Sequence, residues 1–126
     1  KTMIEDAFRN LMANAFNYSK PEGGKLKIGV YIDKEKENAI IKFIDNGVGI
    51  DEEDQERIFE RFYVVDESRG RNTGSGLGLS LVKNIILAHN GSIDVESKLG
   101  IGSTFTVTLP LNFEQEINEN YRKLVD

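Results

Sequence analysis

Apolar residues near the start of the chain recur with the period of a helix. Phe8, Leu11, Met12 and Ala15 are spaced i, i+3, i+4 and i+7, which places them on one face of an α-helix. We therefore predict a helix over residues 2–19, because a Pro-Glu-Gly-Gly sequence follows and interrupts the pattern. This helix would bury one side against a core.

Four strands in two hairpins are predicted from the next apolar positions. Residues 25–33 alternate between polar and apolar types, which is the period of a half-buried strand. Residues 39–45 are rich in isoleucine and follow a polar turn at 34–38. A second hairpin runs from Ile93 to Leu109 around Gly100-Ile101-Gly102.

Two further helices are predicted between the hairpins. Residues 51–62 form a short acidic pattern, residues 63–75 show no apolar period, and residues 76–90 are apolar up to Asn90-Gly91, a good helix stop. We expect the segment 63–75 to be a mobile loop. Hairpin-joined strands with segregated helices indicate an α+β sandwich rather than a βαβ repeat.

Composition then excludes several classes of protein. The length of 126 residues fits one domain. The absence of cysteine excludes disulfides and thiolate zinc sites. Lys and Arg number 16 against 21 Asp and Glu, a balance that argues against nucleic-acid binding. No run approaches the ~20 apolar residues that span a bilayer, so we expect no membrane contact by this domain.

Three asparagines share one stripe of the first predicted helix. Asn10 and Asn14 are one turn apart, and Asn17 falls on the same side. Amide oxygens are suitable ligands for Mg²⁺, although solvated asparagines on an exposed face would be the more common explanation of this stripe alone. Helices disfavour asparagine, so the stripe remains a candidate metal or ligand site.

Two glycine-rich motifs add candidate chemistry. Asp45 ends a predicted strand and is followed by Gly47 and Gly49, which could aim a carboxylate at a ligand lying against bare backbone. An ordinary Asp-Asn-Gly turn is the more common explanation of that motif alone. The run from Gly74 to Leu79 enters a helix, where backbone N–H groups can surround phosphate oxygens. Each motif alone is weak, and the P-loop pattern is absent.

The order of the motifs is more specific than any one of them. The chain contains, in sequence, Asn10-Leu11-Met12-Ala13-Asn14-Ala15, Asp45-Asn46-Gly47-Val48-Gly49-Ile50, Ile58-Phe59-Glu60-Arg61-Phe62-Tyr63, Gly74-Ser75-Gly76-Leu77-Gly78-Leu79 and Gly100-Ile101-Gly102-Ser103-Thr104-Phe105. Over residues 1–111 this set resembles the catalytic, ATP-binding half of sensor histidine kinases, whose fold is shared with gyrase, mismatch-repair and chaperone ATPases. The resemblance implies a mixed, mostly antiparallel sheet packed on about three helices, with its first strand truncated here.

The resemblance also implies roles for individual residues. Asn14 would ligate the Mg²⁺ of bound ATP, and Asn10 would support the phosphate end. Asp45 would accept a hydrogen bond from the adenine amino group, Gly49 would let the ring approach, and Tyr18 would pack beside it.

The other implied contacts surround these residues. Thr104 would reach the adenine pocket through water, while Phe59 and Phe62 would dock the acidic helix and steady the loop over 63–75. The glycine run would line the triphosphate. The remaining implied nucleotide contacts are Asn17, Gly47, Ile50, Gly74, Ser75, Gly76, Leu77, Gly78 and Leu79.

Two positions depart from the family pattern. Asn17 stands where relatives usually carry Lys, and Val64 where they usually carry Arg, so the cations that face the phosphates must be reassigned. The candidates are Arg61, which we place among the catalytic residues, together with Arg69, Arg71 and Lys83.

The family resemblance implies an enzyme that phosphorylates a histidine supplied by a separate dimerisation domain, with a response regulator downstream and a cytoplasmic location. His89, at a predicted helix end, is interpreted as structural. Alternatives on the same fold are a hydrolytic ATPase, a serine kinase or a nucleotide-sensing module. Hydrolytic relatives carry a glutamate at the position of Asn10, which cannot act as a general base. Residues 112–126 are expected to be either an amphipathic helix or a frayed tail.

Overall fold

A computed structural model describes residues 3–17, 19–20, 22–60 and 78–111. The loop predicted over residues 63–75 and the tail at 112–126 lie outside this part of the chain. The elements in chain order are α1 (Met3–Asn17), β1 (Leu26–Asp33), β2 (Asn38–Asp45), α2 (Glu52–Gln55), α3 (Gly78–Ala88), β3 (Ser92–Lys98) and β4 (Gly102–Pro110).

The strands form one sheet with the order β1-β2-β4-β3. All three pairings between the described strands are antiparallel. Helices α1 and α3 pack on each other, and they contact β2 and β3 respectively. This arrangement confirms the α+β sandwich predicted from the sequence.

The core lies between the two long helices and the inner face of β2, β3 and β4. Leu11 of α1 and Val82 and Ile86 of α3 are fully buried there, as the helical period predicted. From the sheet, Phe43 packs on Phe8 with ring centroids 5.6 Å apart. Phe105 meets Phe59 edge-on at 6.2 Å. The apolar stripe of each helix therefore covers the centre of the sheet.

Strand β1 is exposed on the inner face of the sheet, the face on which β2, β3 and β4 pack against the helices. Its apolar side chains Leu26, Ile28, Val30 and Ile32 are between 37% and 65% accessible. Because α1 lies over β2, no described element covers this row. The expectation of a half-buried strand is wrong for β1 in the part of the chain that the structure describes.

The acidic helix is shorter than the 51–62 expected from sequence. Asp51 caps α2 by accepting a hydrogen bond from the N–H of Glu53 at 3.3 Å, and the helix ends at Gln55. Turns with i→i+3 hydrogen bonds follow, from Arg57 N–H to Asp54 and from Glu60 N–H to Arg57. These tighter turns direct the adjacent apolar residues toward the sheet, where Ile58 and Phe59 join the core.

The stop signal after α3 is confirmed. Asn90 adopts a left-handed conformation, with φ of 62°, and the N–H of Gly91 donates to the carbonyl of Ile86 at 2.9 Å. These are the contacts that close a helix C-terminus, and they let the chain enter β3 directly.

Candidate functional site

Asp45 is the half-buried carboxylate at the end of β2. Its Oδ1 accepts a hydrogen bond from the N–H of Gly47 at 2.9 Å, and the backbone N–H of Ser103 donates to the same carboxylate. Burial raises the pKa of Asp45 above its ordinary value, and these two N–H groups oppose that rise. Asp45 is therefore an oriented acceptor for a ligand donor.

Two glycines allow the segments around Asp45 to touch. A Cβ on Gly49, whose φ is +79°, would overlap the carbonyl oxygen of Lys98. A Cβ on Gly102, whose φ is +143°, would overlap the carbonyl oxygen of Asp45. The N–H of Gly100 also donates to the carbonyl of Val48 at 2.8 Å. Gly49 therefore permits a close approach to the backbone at the start of the β3–β4 turn, and its role beside a bound ring stays a prediction.

Asn46 fixes the other side of the same segment. Its Oδ1 accepts from the N–H of Lys25 at 2.7 Å, and its Nδ2 donates to the carbonyl of Gly23 at 2.9 Å. Sequence reasoning quoted Asn46 within a motif but gave it no role. The Asp-Asn-Gly turn thus ties the start of β1 to the end of β2.

Asn10 and Asn14 lie on the flank of α1 that faces α3. The Nδ2 of Asn10 donates to the carbonyl of Asp6 at 2.9 Å, and its Oδ1 is 3.7 Å from the position of a Cβ on Gly78. Asn14 is half-buried and its amide makes no hydrogen bond with any described residue. The structure therefore places Asn10 beside the N-terminus of α3, with Asn14 one turn later on α1.

Thr104 lies on the face of the sheet away from Asp45, and its water-mediated contact with the adenine pocket stays a prediction. Along β4 it alternates with Phe105, which is in the core, so Thr104 lies on the opposite face of the sheet. Ser103 is the register partner of Asp45 and occupies the side facing the site. The sequence pattern could have shown this, because the neighbours of Thr104 at i±1 are on the core face.

Three further predicted contacts belong to the core. Ile50 is buried, and Phe59 and Leu79 pack against the same cluster. Phe59 also contacts Phe105 edge-on, while its role in steadying the loop over 63–75 stays a prediction. Lys83, a candidate phosphate cation, lies with its Nζ 5.6 Å from the centre of the Phe59 ring.

Several predicted site residues lie outside the described part of the chain. These are Tyr18, Arg61, Phe62, Gly74, Ser75, Gly76 and Leu77, with the candidate cations Arg69 and Arg71. The side chain of Asn17 is also outside it. Their roles remain predictions.

A pocket of about 420 Å³ reaches Asp45 from a different direction. It is lined by Asp45, Gly47 and, from α1, Met12 and Phe16. Successive residues of an α-helix are 100° apart around its axis. Met12 and Phe16 therefore lie on the side of α1 opposite to Asn10 and Asn14. The pocket is therefore separate from the surface that carries the two asparagines.

His89 is part of the end of α3. Its Nδ1 is 2.8 Å from the carbonyl oxygen of Ile85, one turn earlier, and the ring is half-buried. Since a carbonyl only accepts, the Nδ1 atom carries a proton in this contact. This geometry agrees with a structural role for His89.

A search of protein families matches residues 1–112 to the histidine kinase-, DNA gyrase B- and HSP90-like ATPases. The chain belongs to this family. Curated relatives within it include the sensor histidine kinase WalK of Bacillus subtilis, 42% identical over 90% of this chain. The sensor-like histidine kinase SenX3 of Mycobacterium bovis is 46% identical over 90% of this chain. The chain spans 18% and 27% of the lengths of these two relatives.

Solved structures of this ATPase family have the same fold. A mycobacterial sensor histidine kinase, MprB, superposes with a TM-score of 0.73 at 31% identity, covering 83% of this chain and 70% of that one. Full-length ShkA, in complex with AMPPNP, superposes with a TM-score of 0.72 at 26% identity, covering 86% of this chain and 21% of that one.

The described residues include neither a membrane-spanning helix nor a cluster of His, Cys, Asp and Glu side chains. None of their helices is long and apolar enough to span a membrane. They also contain no group of three or more His, Cys, Asp and Glu side chains that could hold a metal ion.

Proposed function

We propose that this chain binds Mg·ATP and directs its γ-phosphoryl group to a histidine of a separate dimerisation domain, within two-component signalling. The observation that carries the proposal is Asp45, an oriented and half-buried acceptor at one end of the site. The amide of Asn10 lies beside the N-terminus of α3, whose dipole favours phosphate, and Asn14 is one turn further along α1. Curated relatives of the chain are sensor histidine kinases.

Adenine is the base that Asp45 suits. Its exocyclic amino group can donate to the carboxylate, whereas guanine presents a carbonyl oxygen at the same position. Leaving a half-buried acceptor opposite a lone pair costs about 1–3 kcal/mol. ATP should therefore bind roughly tenfold or more tightly than GTP.

Asn14 fits the role of a magnesium ligand. Its amide has no partner among the described residues, and an amide oxygen is a hard ligand of the kind that Mg²⁺ accepts together with waters and phosphates. When bound, the ion neutralises charge on the phosphates. The amide of Asn10, held by the Asp6 carbonyl, keeps its oxygen toward α3.

Phosphoryl transfer depends mainly on positioning and charge stabilisation. In the proposed reaction an imidazole nitrogen of the partner domain attacks the γ-phosphorus, and ADP leaves. Hydrolysis is disfavoured because Asn10 occupies the position at which hydrolytic relatives carry a glutamate, and an amide cannot take a proton from water. Arg61 is proposed as a cation that faces the phosphates.

The proposed functional unit is residues 1–111, acting as the cytoplasmic, ATP-binding part of a larger sensor kinase with a response regulator downstream. Residues 112–126 are proposed as an amphipathic tail, because Phe113, Ile117, Tyr121 and Leu124 follow a helical period.

Binding is tested by calorimetry of the chain with ATP, in Mg²⁺ and in EDTA. Asn14→Ala should weaken ATP binding about tenfold in Mg²⁺ and much less in EDTA, since only the metal contact is removed. Asn84→Ala, at an exposed asparagine of α3, is the matched control and should bind as the unmodified chain does. Equal losses for Asn14→Ala under both conditions would contradict the metal role.

Transfer is tested with γ-labelled ATP, with and without a domain that bears the acceptor histidine. Label should appear on the added domain only, and should be acid-labile and alkali-stable. Such label on this chain alone, lost in His89→Gln, would overturn the structural interpretation of His89. Rapid phosphate release by the chain alone would instead favour a hydrolytic ATPase.

A further inference from the structure

One hydroxyl group joins the two backbone segments beside Asp45. The Oγ of Ser97, near the end of β3, accepts a hydrogen bond from the N–H of Ile50 at 2.7 Å. It donates to the carbonyl of Gly102 at 2.9 Å, and it lies 2.7 Å from the Oγ of Ser103. Ser97 therefore contacts both the loop that follows β2 and the first residues of β4.

The direction of these hydrogen bonds follows from the number of protons. Ser97 has one hydroxyl proton, and the Gly102 carbonyl can only accept, so that proton points to Gly102. The Ser103 hydroxyl must then donate to Ser97. With the N–H of Ile50, the Ser97 oxygen accepts two hydrogen bonds and donates one, so its full capacity is used.

The bonds of Ser97 lead directly to Asp45. The residues it holds, Gly102 and Ser103, are those whose backbone contacts Asp45. Gly102 packs on the Asp45 carbonyl oxygen, and the N–H of Ser103 donates to the Asp45 carboxylate. A displacement of Gly102 and Ser103 would therefore move a donor to Asp45.

Gln55 of α2 provides a second connection. Its Nε2 donates to the carbonyls of Ile50 and Ser97, at 2.9 Å each. Gln55 therefore connects the same two residues, Ile50 and Ser97, that the bond between the Ile50 N–H and the Ser97 hydroxyl connects directly. Both residues thus hold the loop after β2 against β3.

We propose that Ser97 is a positioning residue for base recognition, which keeps the Asp45 carboxylate and the loop of residues 46–50 aligned with a bound adenine. This inference rests on the proposed function, because it assumes that Asp45 contacts the base. Ser97 acts through Gly102, Ser103 and Ile50, and does not itself touch the nucleotide.

The test compares dissociation constants for Mg·ATP and Mg·GTP, because a variant that only lowers the folded fraction weakens both equally. Ser97→Ala should reduce the ratio of GTP to ATP dissociation constants by roughly fivefold, the factor that corresponds to one hydrogen bond. Ser97→Thr retains the hydroxyl and suits a strand, so it should restore the ratio. Ser92→Ala, at an exposed serine of β3, should leave it unchanged.

An unchanged ratio in Ser97→Ala, with the Asp45→Ala variant losing discrimination, would overturn the role of Ser97 and leave the proposed function standing. No discrimination in the unmodified chain would instead mean that the proposed contact between Asp45 and adenine is wrong. Should Ser97→Ala not fold, Ser103→Ala removes one hydroxyl donor while keeping its backbone N–H. That variant should shift the ratio in the same direction by about half as much on a logarithmic scale.

Discussion

One rung of the sheet shows two environments for the same residue type. Val30 of β1 pairs with Ile41, and Ile41 pairs in turn with Val107 of β4. The two valines point to the same face, two strands apart. Val30 is 65% exposed, whereas Val107 is completely buried.

The difference comes from what lies above each strand. Helices α1 and α3 share the core with β2, β3 and β4, and no described element lies over β1. Alternation of polar and apolar residues therefore determines which way a side chain points, but it does not determine whether anything covers that side. Substitutions in exposed β1 and in buried β4 should therefore change the free energy of unfolding by different amounts.

The largest difference is expected between two glycines with positive φ. Gly102→Ala should lower the free energy of unfolding by about 3–4 kcal/mol, because its new methyl group overlaps the Asp45 carbonyl and must separate two backbones. Gly23→Ala, in the loop before β1, meets no atom within 4 Å. It should cost only about 1 kcal/mol, from its φ of +72°.

Urea unfolding followed by circular dichroism measures both variants. Similar losses for Gly102→Ala and Gly23→Ala would contradict the close packing of the two segments beside Asp45. The same Gly102→Ala sample should also bind ATP poorly, since moving Gly102 displaces the adjacent Ser103 N–H that donates to the Asp45 carboxylate.

The two valines of the shared rung give the next largest contrast. Val107→Ala should reduce the free energy of unfolding by about 2–3 kcal/mol, through lost burial and a new cavity. Val30→Ala should change it by less than about 0.5 kcal/mol, since the side chain is already exposed. The pair share residue type, strand geometry and sheet face, so each serves as the control for the other under chemical unfolding. Equal losses would mean that β1 is covered in solution.

The smallest effect concerns Asp45, which pairs with Leu26 of β1 on one side and Ser103 of β4 on the other. Because burial raises the pKa of Asp45 in the folded chain, the unfolded chain ionises first as pH rises from the ordinary value of 3.8. The folded state therefore loses stability between that pH and the folded pKa. The Asp45→Asn variant has no carboxyl group at this position, so its stability does not fall in this way as pH rises.

Unfolding free energies across this pH range test the direction of the shift. The unmodified chain should become less stable relative to Asp45→Asn as pH rises, and the difference should level off above the folded pKa. A relative change in the opposite direction would show that the hydrogen bonds from Gly47 and Ser103 outweigh burial.

The sequence predicted features that depend on local period and local turn chemistry. The extent of α1, both hairpins and the turn at Asn90 follow from residues close together in the chain. The length of α2 could not be predicted in this way. The helix ends at Gln55, and the turns that follow bring Ile58 into a core formed by distant elements. The exposure of β1 was likewise set by the position of α1.

The candidate site shows the same division. Asp45 was identified because a carboxylate at a strand end followed by glycines has a local signature. Ser97 and Gln55 were missed, since the bonds that join the two segments, from Ile50 to Ser97 and from Gln55 to Ser97, span 47 and 42 residues. A serine within an alternating strand also gives no signal. Thr104 was assigned from its motif without regard to the face of the sheet to which it points, and Ser103, the register partner of Asp45, was not considered.

The reciprocal packing at Gly49 and Gly102 has a consequence for how this domain can be altered. Each glycine admits the backbone of the other segment, at Lys98 and Asp45 respectively, so the position of each turn depends on that of the other. An insertion in one turn would move its glycine out of register with the carbonyl that it accommodates. Loop exchange between relatives should therefore transplant both turns together, as a single cassette.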